Sequence, residues 1–492
     1  MSIWRLLADT AERCPEHRAV RDAGTNLSYL EFRQAAERMA GSILQRVEPG
    51  DRVAILARNC WEYACAYFAA ARAGVVLVPW NTRLTEREHT AILDDSNAAL
   101  LLHDDAFAEA ATALDVPRCA LTDALAGSAP RTEPPAVAPD DTAHLYYTSG
   151  TTGTPKGVRL THRNVVAHAE MTRAELDLGE ADVWGHIAPM FHLADAWATF
   201  AITLVAGTHA FVGEFTAAST FDAIERDAIT MTNLVPTMLQ RMIANDSTAD
   251  CSSLRTILSG GAPIAPETVR AIVDRFGCEY VQTYGMTETS PFLTMSLLDA
   301  ELRSLPLSDQ LRYRSKTGRA VRGIELRVVG NDGRDVPRDE TTVGEIRVRG
   351  ATVTPGYWNK PDETAAVFED GGWLRTGDLA VIDDRGFVTI VDRAKDVILT
   401  GGETVYSTEV ENRLFEHPDV VEAAVIGIPD PDWGERVVAA VVLRSATPEA
   451  ELLAFCREGL AGFKRPKQIR RFDELPKTGS GKLDKRALRR AW

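Results

Sequence analysis

Apolar positions early in the chain switch between a helical period and short unbroken runs. Ser28 and Glu31 stand in a capping-box pattern, and Phe32, Ala35, Ala36, Met39 and Ile43 then recur on one helical face. Pro49-Gly50 ends that helix, and residues 53–57 follow as a strand. Residues 61–73 again predict a helix, Gly74 stops it, and residues 75–78 form an apolar run suited to a strand buried on both faces. Helix alternating with strand in this way predicts an α/β layered domain.

Farther along, residues 144–147 and 158–160 read as strands, with Thr161 capping a helix that begins near Arg163. Before them, residues 122–141 shift to Ala, Pro, Ser and Gly, which predicts a surface connection rather than a domain border. Helix and strand signals continue through 221–243 and 256–280, and no tandem repeat interrupts them. From 323 to 349 the pattern turns β-rich, with IELRVV and GEIRVR separated by the turn Asn331-Asp332-Gly333. After Val391 a smaller unit is predicted: helices at 408–415 and 451–460, strands at 421–426 and 437–443, and a basic ending, KRPKQIRR then PKTGSGKLDKRALRR. The expected organisation is a large multi-layer α/β domain, 1–393, with a small β-rich part, and a small mobile α+β domain, 394–492.

Composition narrows the class. With 492 residues, more than one domain is expected, and 45% hydrophobic with 25% charged residues suits a globular protein with large cores. The formal net charge of −16 and the lack of a long basic stripe argue against nucleic acid or an anionic membrane as partner. Residues 197–206 are apolar but too short to span a bilayer. Seven cysteines, an odd number without zinc-like spacing, suit structural thiols in a reducing cytoplasm. The start, MSIWRLLADTAERCPEH, lacks the apolar core of a secretory leader, and the final Arg-Ala-Trp spells no peroxisomal address, so a cytoplasmic protein is expected. The sequence does not specify an oligomeric state.

One stretch carries candidate chemistry by itself. Residues 147–158 read YTSGTTGTPKGV, so Thr148, Ser149, Gly150, Thr151, Thr152 and Gly153 offer hydroxyls and unobstructed backbone amides, and Lys156 adds a mobile point charge. Such a loop suits a polyphosphate. It does not fit G-x-x-x-x-G-K-[ST], because Lys156 is preceded by Pro155 and followed by Gly157.

Further segments follow in order: Tyr284-Gly285-Met286-Thr287-Glu288; Gly344-Glu345, Gly350 and Gly356-Tyr357-Trp358; Trp373-Leu374-Arg375-Thr376-Gly377-Asp378; and PKTGSGK at 476–482. Together with the loop, they resemble the motif set of the adenylate-forming superfamily, in its acyl-CoA synthetase branch, over nearly the whole chain. The resemblance implies an acid–thiol ligase that forms an acyl-adenylate from a carboxylic acid, ATP and Mg²⁺, then transfers the acyl group to CoA. It assigns Tyr284 and Gly261-Ala262-Pro263 to the adenine pocket, Asp378 and Arg393 to the ribose, and Glu288 with Thr287 to magnesium and phosphate. A carboxylate is a hard oxygen ligand suited to Mg²⁺ that bridges phosphates. Lys482 is then the principal catalytic residue, because a cation must hold the attacking carboxylate and offset the charge that grows at the α-phosphate. Lys156 is left a smaller part, at the leaving pyrophosphate.

For the second half-reaction the resemblance implies a thiol passage at Gly401-Gly402, before Glu403, and a hinge at Lys395. Thr404 and Ser407 depart from the Asn and Pro common in such synthetases. Lys464 either meets the nucleotide end of CoA or belongs to a solvated basic face. Pro189-Met190-Phe191-His192 resembles the segment that gates the acyl pocket. Amino-acid-activating relatives carry Asp where this chain has His192, so an α-amino acid is disfavoured. Trp197, Met231, Leu234, Ser259, Gly260, Gly285, Met286 and Phe292 are candidate pocket positions whose apolar character suits a fatty or aromatic acid. Asp195 argues against a dicarboxylate if it faces the pocket. An acyl carrier protein in place of CoA, and a catalytically silent nucleotide-binding regulator, remain open alternatives.

Overall fold

A computed structural model of the chain describes residues 1–22, 24–130, 133–148, 155–262, 264–477 and 483–492. By compactness it divides into residues 1–325 with 348–374, and residues 326–347 with 375–492. The strands Ile324–Val329, Gly344–Gly350 and Trp373–Ile382 each contain one of these boundaries. The border expected at 393/394 concerns a pivot in the chain, a different property from compactness.

In the first unit the local signals act as their chemistry requires. Ser28 accepts the Glu31 N–H, and Glu31 reaches back to the Ser28 N–H, opening the helix Tyr29–Leu44. Thr161 and Asn164 form the same reciprocal pair at the start of His162–Glu175, one residue before the predicted start. The helix Trp61–Ala73 ends on Gly74 in the left-handed region, φ 70°. That helix is buried continuously from Tyr63 to Ala73, because alanine and aromatic residues cover its whole circumference. It packs against Val76–Pro79 of one sheet and Thr208–Phe211 of another. Phe68 meets Phe32 and Phe200 edge-on there, and truncating a ring so buried costs about 3–5 kcal/mol.

Those two sheets set the site. The first runs Arg118–Ala120, Ala98–His103, Arg52–Leu56, Val76–Pro79, Thr142–Thr148, Lys156–Thr161; it is parallel except for the last, antiparallel pair. The second has nine strands, whose parallel core runs Glu279–Gly285, Thr256–Gly260, Met231–Asn233, Val183–His186, Thr208–Phe211, Arg18–Asp22.

The second unit holds the predicted small α+β fold. Gly434–Leu443 pairs antiparallel with Val420–Asp430 and parallel with Gln468–Arg471. Alternation along the long strands sorts their side chains between two faces. Val425, Val437, Ala439 and Val441 pack with Val410, Leu414, Leu452 and Cys456 of the helices Ser407–Phe415 and Glu449–Gly459. Ala424, Ile426, Val438 and Ala440 pack instead with Leu475 and Leu488.

The first unit also buries several histidines in neutral form. Burial lowers His144 and His168 to about 3 and His162 to about 4, and it pushes His209 well below its ordinary range. An unfolded histidine titrates near 6.5. The stability these groups confer is therefore complete above that value and is lost as pH falls toward their folded values. Each costs about 1.4 kcal/mol per pH unit inside that window. Thermal unfolding measured between pH 7.5 and 4 should show a midpoint that falls steeply below 6.5. His168→Gln, which keeps an acceptor for the Phe292 N–H, should flatten the slope; a midpoint indifferent to pH would contradict the assignment.

Candidate active site

Parallel neighbours deliver the C-terminal ends of their strands to one sheet edge. From the adjacent strands Val183–His186 and Met231–Asn233 the chain leaves in opposite directions, toward Thr208–Phe211 and toward Thr256–Gly260. A reversal of this kind opens a crevice at the strand ends. The segments that leave this edge carry His192, Leu234, Gly260 to Ala262 and Tyr284 to Glu288, so most of the pocket and adenine positions expected from the sequence gather here. Gly260 lies opposite Thr283, and Gln282 Nε2 donates to the Ala262 carbonyl at 2.9 Å, fixing the 260–262 turn beside Tyr284. At Gly285 a Cβ would run into the Pro291 carbonyl, so only glycine allows the approach of Phe292. Tyr284, Met286 and Thr287 are half-buried.

Glu288 is only 7% exposed. Its Oε1 accepts the Tyr357 hydroxyl at 2.9 Å, and its backbone carbonyl accepts the Thr354 N–H at 2.8 Å. Tyr357 belongs to a strap laid along Lys156–Thr161: Arg159 N–H donates to Gly356, Trp358 N–H donates to Gly157, and Val158 bridges Tyr357. The Lys156 ammonium lies 5.1 Å above the Tyr357 ring, a cation–π distance. Thr148 pairs directly with Lys156 across the hairpin that closes the phosphate loop. Lys156, Tyr357 and Glu288 thus form one group, in which burial and then the Glu288 charge raise the Tyr357 hydroxyl above its ordinary range.

Trp197 and Ser259 are almost wholly enclosed, at 1% and 0% exposure. Trp197 lies edge-on to Phe292 at 5.1 Å and to His168 at 5.7 Å, and His168 Nε2 accepts the Phe292 N–H. Asp195 is fully buried, pairing with His186 Nδ1 at 2.5 Å and accepting the Trp184 indole N–H at 3.2 Å. Both its oxygens are engaged in that network, so its charge gives no ground against a dicarboxylate.

In the second unit, Asp378 faces Arg393 across antiparallel strands, and Arg393 Nε donates to Asp378 Oδ1 at 2.7 Å. The cation orients the carboxylate at the point assigned to ribose. Lys395 follows, its ammonium lowered by burial first and by the Arg393 charge second. Gly401 and Gly402 form the two-residue turn between Ile398–Thr400 and Glu403–Val405, with φ of 60° and 81°. Positive φ at both central residues is the requirement of a type I′ hairpin. A Cβ on Gly401 would also stand 2.6 Å from the Trp433 ring. Lys464 Nζ lies 2.7 and 2.8 Å from the two Glu409 oxygens, an ion pair at its expected CoA position. Ser407 gives its N–H and hydroxyl to Asp392, and Lys485 donates to Ser407 Oγ at 2.6 Å. A proline there could not donate the N–H, which gives the departure at Ser407 a structural reason.

Ser149, Gly150, Thr151, Thr152, Gly153, Pro263 and Lys482 lie outside the described residues. Sequence reasoning missed the parts of Tyr357, His168 and the Ser407–Asp392 pair; Tyr357 had a signal in its place in the Gly356-Tyr357-Trp358 segment, and Ser407 in its departure from proline. Among the described residues no three His, Cys, Asp or Glu side chains form a metal cage. One carboxylate, Glu288, suits a Mg²⁺ ion that arrives with phosphate oxygens as its remaining ligands.

A crevice at parallel strand ends, with a lysine, a held carboxylate and a phosphate-loop hairpin beside it, defines a nucleotide-handling α/β enzyme. The model of AMP-binding enzymes matches residues 7–358, and that of the AMP-binding enzyme C-terminal domain matches 409–482. A feruloyl-CoA synthase of Amycolatopsis sp. is 40% identical over 98% of this chain and 97% of its own. A long-chain-fatty-acid–CoA ligase of Thermus thermophilus is 35% identical over 94% and 89%. The solved o-succinylbenzoate CoA synthetase of Bacillus subtilis, in complex with its acyl-adenylate, superposes with a TM-score of 0.89 at 32% identity, covering 99% of this chain and 98% of its own. The chain belongs to the AMP-binding enzyme family.

The Tyr357 hydroxyl can be tested apart from its ring. Tyr357→Phe keeps the face beneath Lys156 and removes the donor to Glu288, and hydrogen bonds to charged groups are worth about 1.5–3 kcal/mol. In an adenylation assay the variant should lose roughly ten- to a hundredfold in kcat/KM for ATP. An unchanged value would remove Tyr357 from the nucleotide site.

Proposed function

We propose that this chain activates an aromatic carboxylic acid with ATP and passes the acyl group to CoA. It is an AMP-forming acid–thiol ligase whose substrates are the acid, Mg²⁺-bound ATP and CoA. In the first half-reaction a carboxylate oxygen bonds to the α-phosphorus and pyrophosphate leaves. In the second, the CoA sulfur bonds to the acyl carbon and AMP leaves. The observation that carries the aromatic choice is a cluster of rings at positions expected for the acyl pocket: Trp197 against Phe292, with His168 packed on Phe292, and Phe191 4.6 Å from His192. Aromatic rings gain from edge-to-face packing beyond the area they bury. The feruloyl-CoA relative supports this choice, while the Thermus relative keeps a fatty acid as the second reading.

The proposed residue roles rest on the charge of each residue and on the family motif in which it stands. Lys482 holds the attacking carboxylate and offsets charge at the α-phosphate. Lys156, with Ser149 to Gly153, takes the leaving pyrophosphate, and Glu288 with Thr287 holds the metal and phosphate. Tyr284 and residues 261–263 receive adenine, and Asp378 oriented by Arg393 receives the ribose. The border at 393/394 is the pivot, with Lys395 as hinge, and the turn at Gly401-Gly402 borders the pantetheine passage. Lys464 contributes to CoA binding only by exchanging Glu409 for phosphate. The cytoplasm, where ATP and CoA are both supplied, is the proposed compartment.

Two measurements test this reading. Lys482→Ala should abolish pyrophosphate release from ATP and acid yet still convert supplied acyl-AMP and CoA to thioester; full adenylation by the variant would refute the assignment. With the unaltered protein, AMP release should be faster with ferulate or indole-3-acetate than with decanoate, and faster with CoA than with an acyl carrier protein. The reverse order in either comparison would select the alternative.

A further inference from the structure

The segment 187–192 leaves its strand after His186 and carries Phe191 and His192, and among the described residues no strand pairs with it. Its backbone polar groups need partners from elsewhere. One side chain, distant in sequence, supplies two of them and also reaches the last carbonyl of the strand. Asn59 Nδ2 donates to the His186 carbonyl at 3.0 Å and the Ala188 carbonyl at 2.8 Å, while Asn59 Oδ1 accepts the Met190 N–H at 2.8 Å. Alternate residues 186, 188 and 190 are thereby held by one carboxamide, much as a strand edge would hold them. The orientation is over-determined, since a flipped amide would set its oxygen against two carbonyls and its NH₂ against an N–H. Asn59 is 8% exposed, and its own turn is anchored by the Arg58 N–H on Asp104 at 2.9 Å.

A second element grips the same segment. Tyr67, on the buried helix Trp61–Ala73, donates its hydroxyl to the Met190 carbonyl at 2.9 Å. That donation uses its only proton, so in the 2.7 Å contact with Tyr146 it is Tyr146 that donates. Tyr146 lies on Thr142–Thr148, the strand that leads into the phosphate loop. The two ends of the segment are joined in turn by the buried His186–Asp195 pair.

We propose that Asn59, assisted by Tyr67, is a positioning residue for the acid: it holds residues 186–190 so that Phe191 and His192 meet the carboxylic acid substrate. Neither side chain touches the acid; each acts through the backbone that presents His192. The inference rests on the reading of His192 as an acyl-pocket residue, and the test separates the two.

The test compares Asn59→Ala, Tyr67→Phe and His192→Ala with the unaltered protein, using whichever of ferulate, indole-3-acetate and decanoate is turned over fastest. KM for the acid at saturating ATP and KM for ATP at saturating acid are both read from pyrophosphate release. Asn59→Ala should raise the acid KM at least tenfold and Tyr67→Phe about three- to fivefold, the size expected for one neutral hydrogen bond, each with the ATP KM held within twofold. If His192→Ala raises the acid KM while both other variants leave it unchanged, the clamp is overturned and the pocket reading stands. If His192→Ala leaves the acid KM unchanged, the pocket reading falls and takes this inference with it. If both KM values rise together in Asn59→Ala, its role is merely structural and the proposal is overturned. Should Asn59→Ala fail to fold, Tyr67→Phe, which loses one oxygen only, decides between the same outcomes.

Discussion

A carboxylate almost sealed from water is stable only when donors and positive charge replace its lost hydration. Glu288 has the Tyr357 hydroxyl on one oxygen, and the Lys156 ammonium stands over the ring of that same tyrosine. The arrangement ties together parts that come from distant stretches of the chain. Glu288 follows the last parallel strand of the nine-stranded sheet, Lys156 opens the edge strand of the six-stranded sheet, and the strap bearing Tyr357 is pinned to that edge by backbone bonds. Where the sheets approach, the strand that begins at Lys156 and the segment around Glu288 become neighbours, and the expected acyl edge follows from the same parallel strands.

The chain solves a charge problem locally. A protein of net charge −16 repels polyphosphate at long range, so attraction has to come from single cations held at short range. Lys156, over the face of Tyr357, is the cation proposed for that part, whereas the charge of Arg393 is met by Asp378. The second unit separates its two jobs along its sequence. Asp378, Arg393 and Lys395 sit at or just beyond the strands Trp373–Ile382 and Val388–Arg393, whereas Gly401-Gly402 form a tight turn with positive φ at both residues and no room for a Cβ at Gly401. Asp392, beside the proposed pivot, is tied through Ser407 to Lys485, so the segment following Lys482 and the pivot share one buried network.

Features set by neighbours in sequence were legible in advance. Capping at Ser28 and Thr161, the stop at Gly74 and the period-two strands of the small unit depend on residues a few positions apart; the caps and the stop formed within a residue of their expected place, and the strands expected at 421–426 and 437–443 formed as the longer Val420–Asp430 and Gly434–Leu443. The motif residues were legible because their types are tied to phosphate, ribose and metal chemistry. What escaped were pairings across long separations. Asn59 with residues 186–190, His168 with Phe292 and Tyr357 with Glu288 join residues far apart in sequence, and no local pattern announces them. Asp195 shows the converse case: whether its charge faced the pocket was left open by the sequence, and the geometry turns it onto His186 and Trp184. A polar residue in an apolar helix declares a partner without naming it.

The central claim is that an adenylate forms before the thiol takes part, with acid and nucleotide meeting at the crevice beside Glu288. Exchange of labelled pyrophosphate into ATP tests it most directly, because exchange requires the first half-reaction to run in both directions. With a turned-over acid present and CoA absent, label should enter ATP, and omitting the acid should stop it. Exchange that appears only when CoA is added, or that proceeds equally without any acid, would contradict the account.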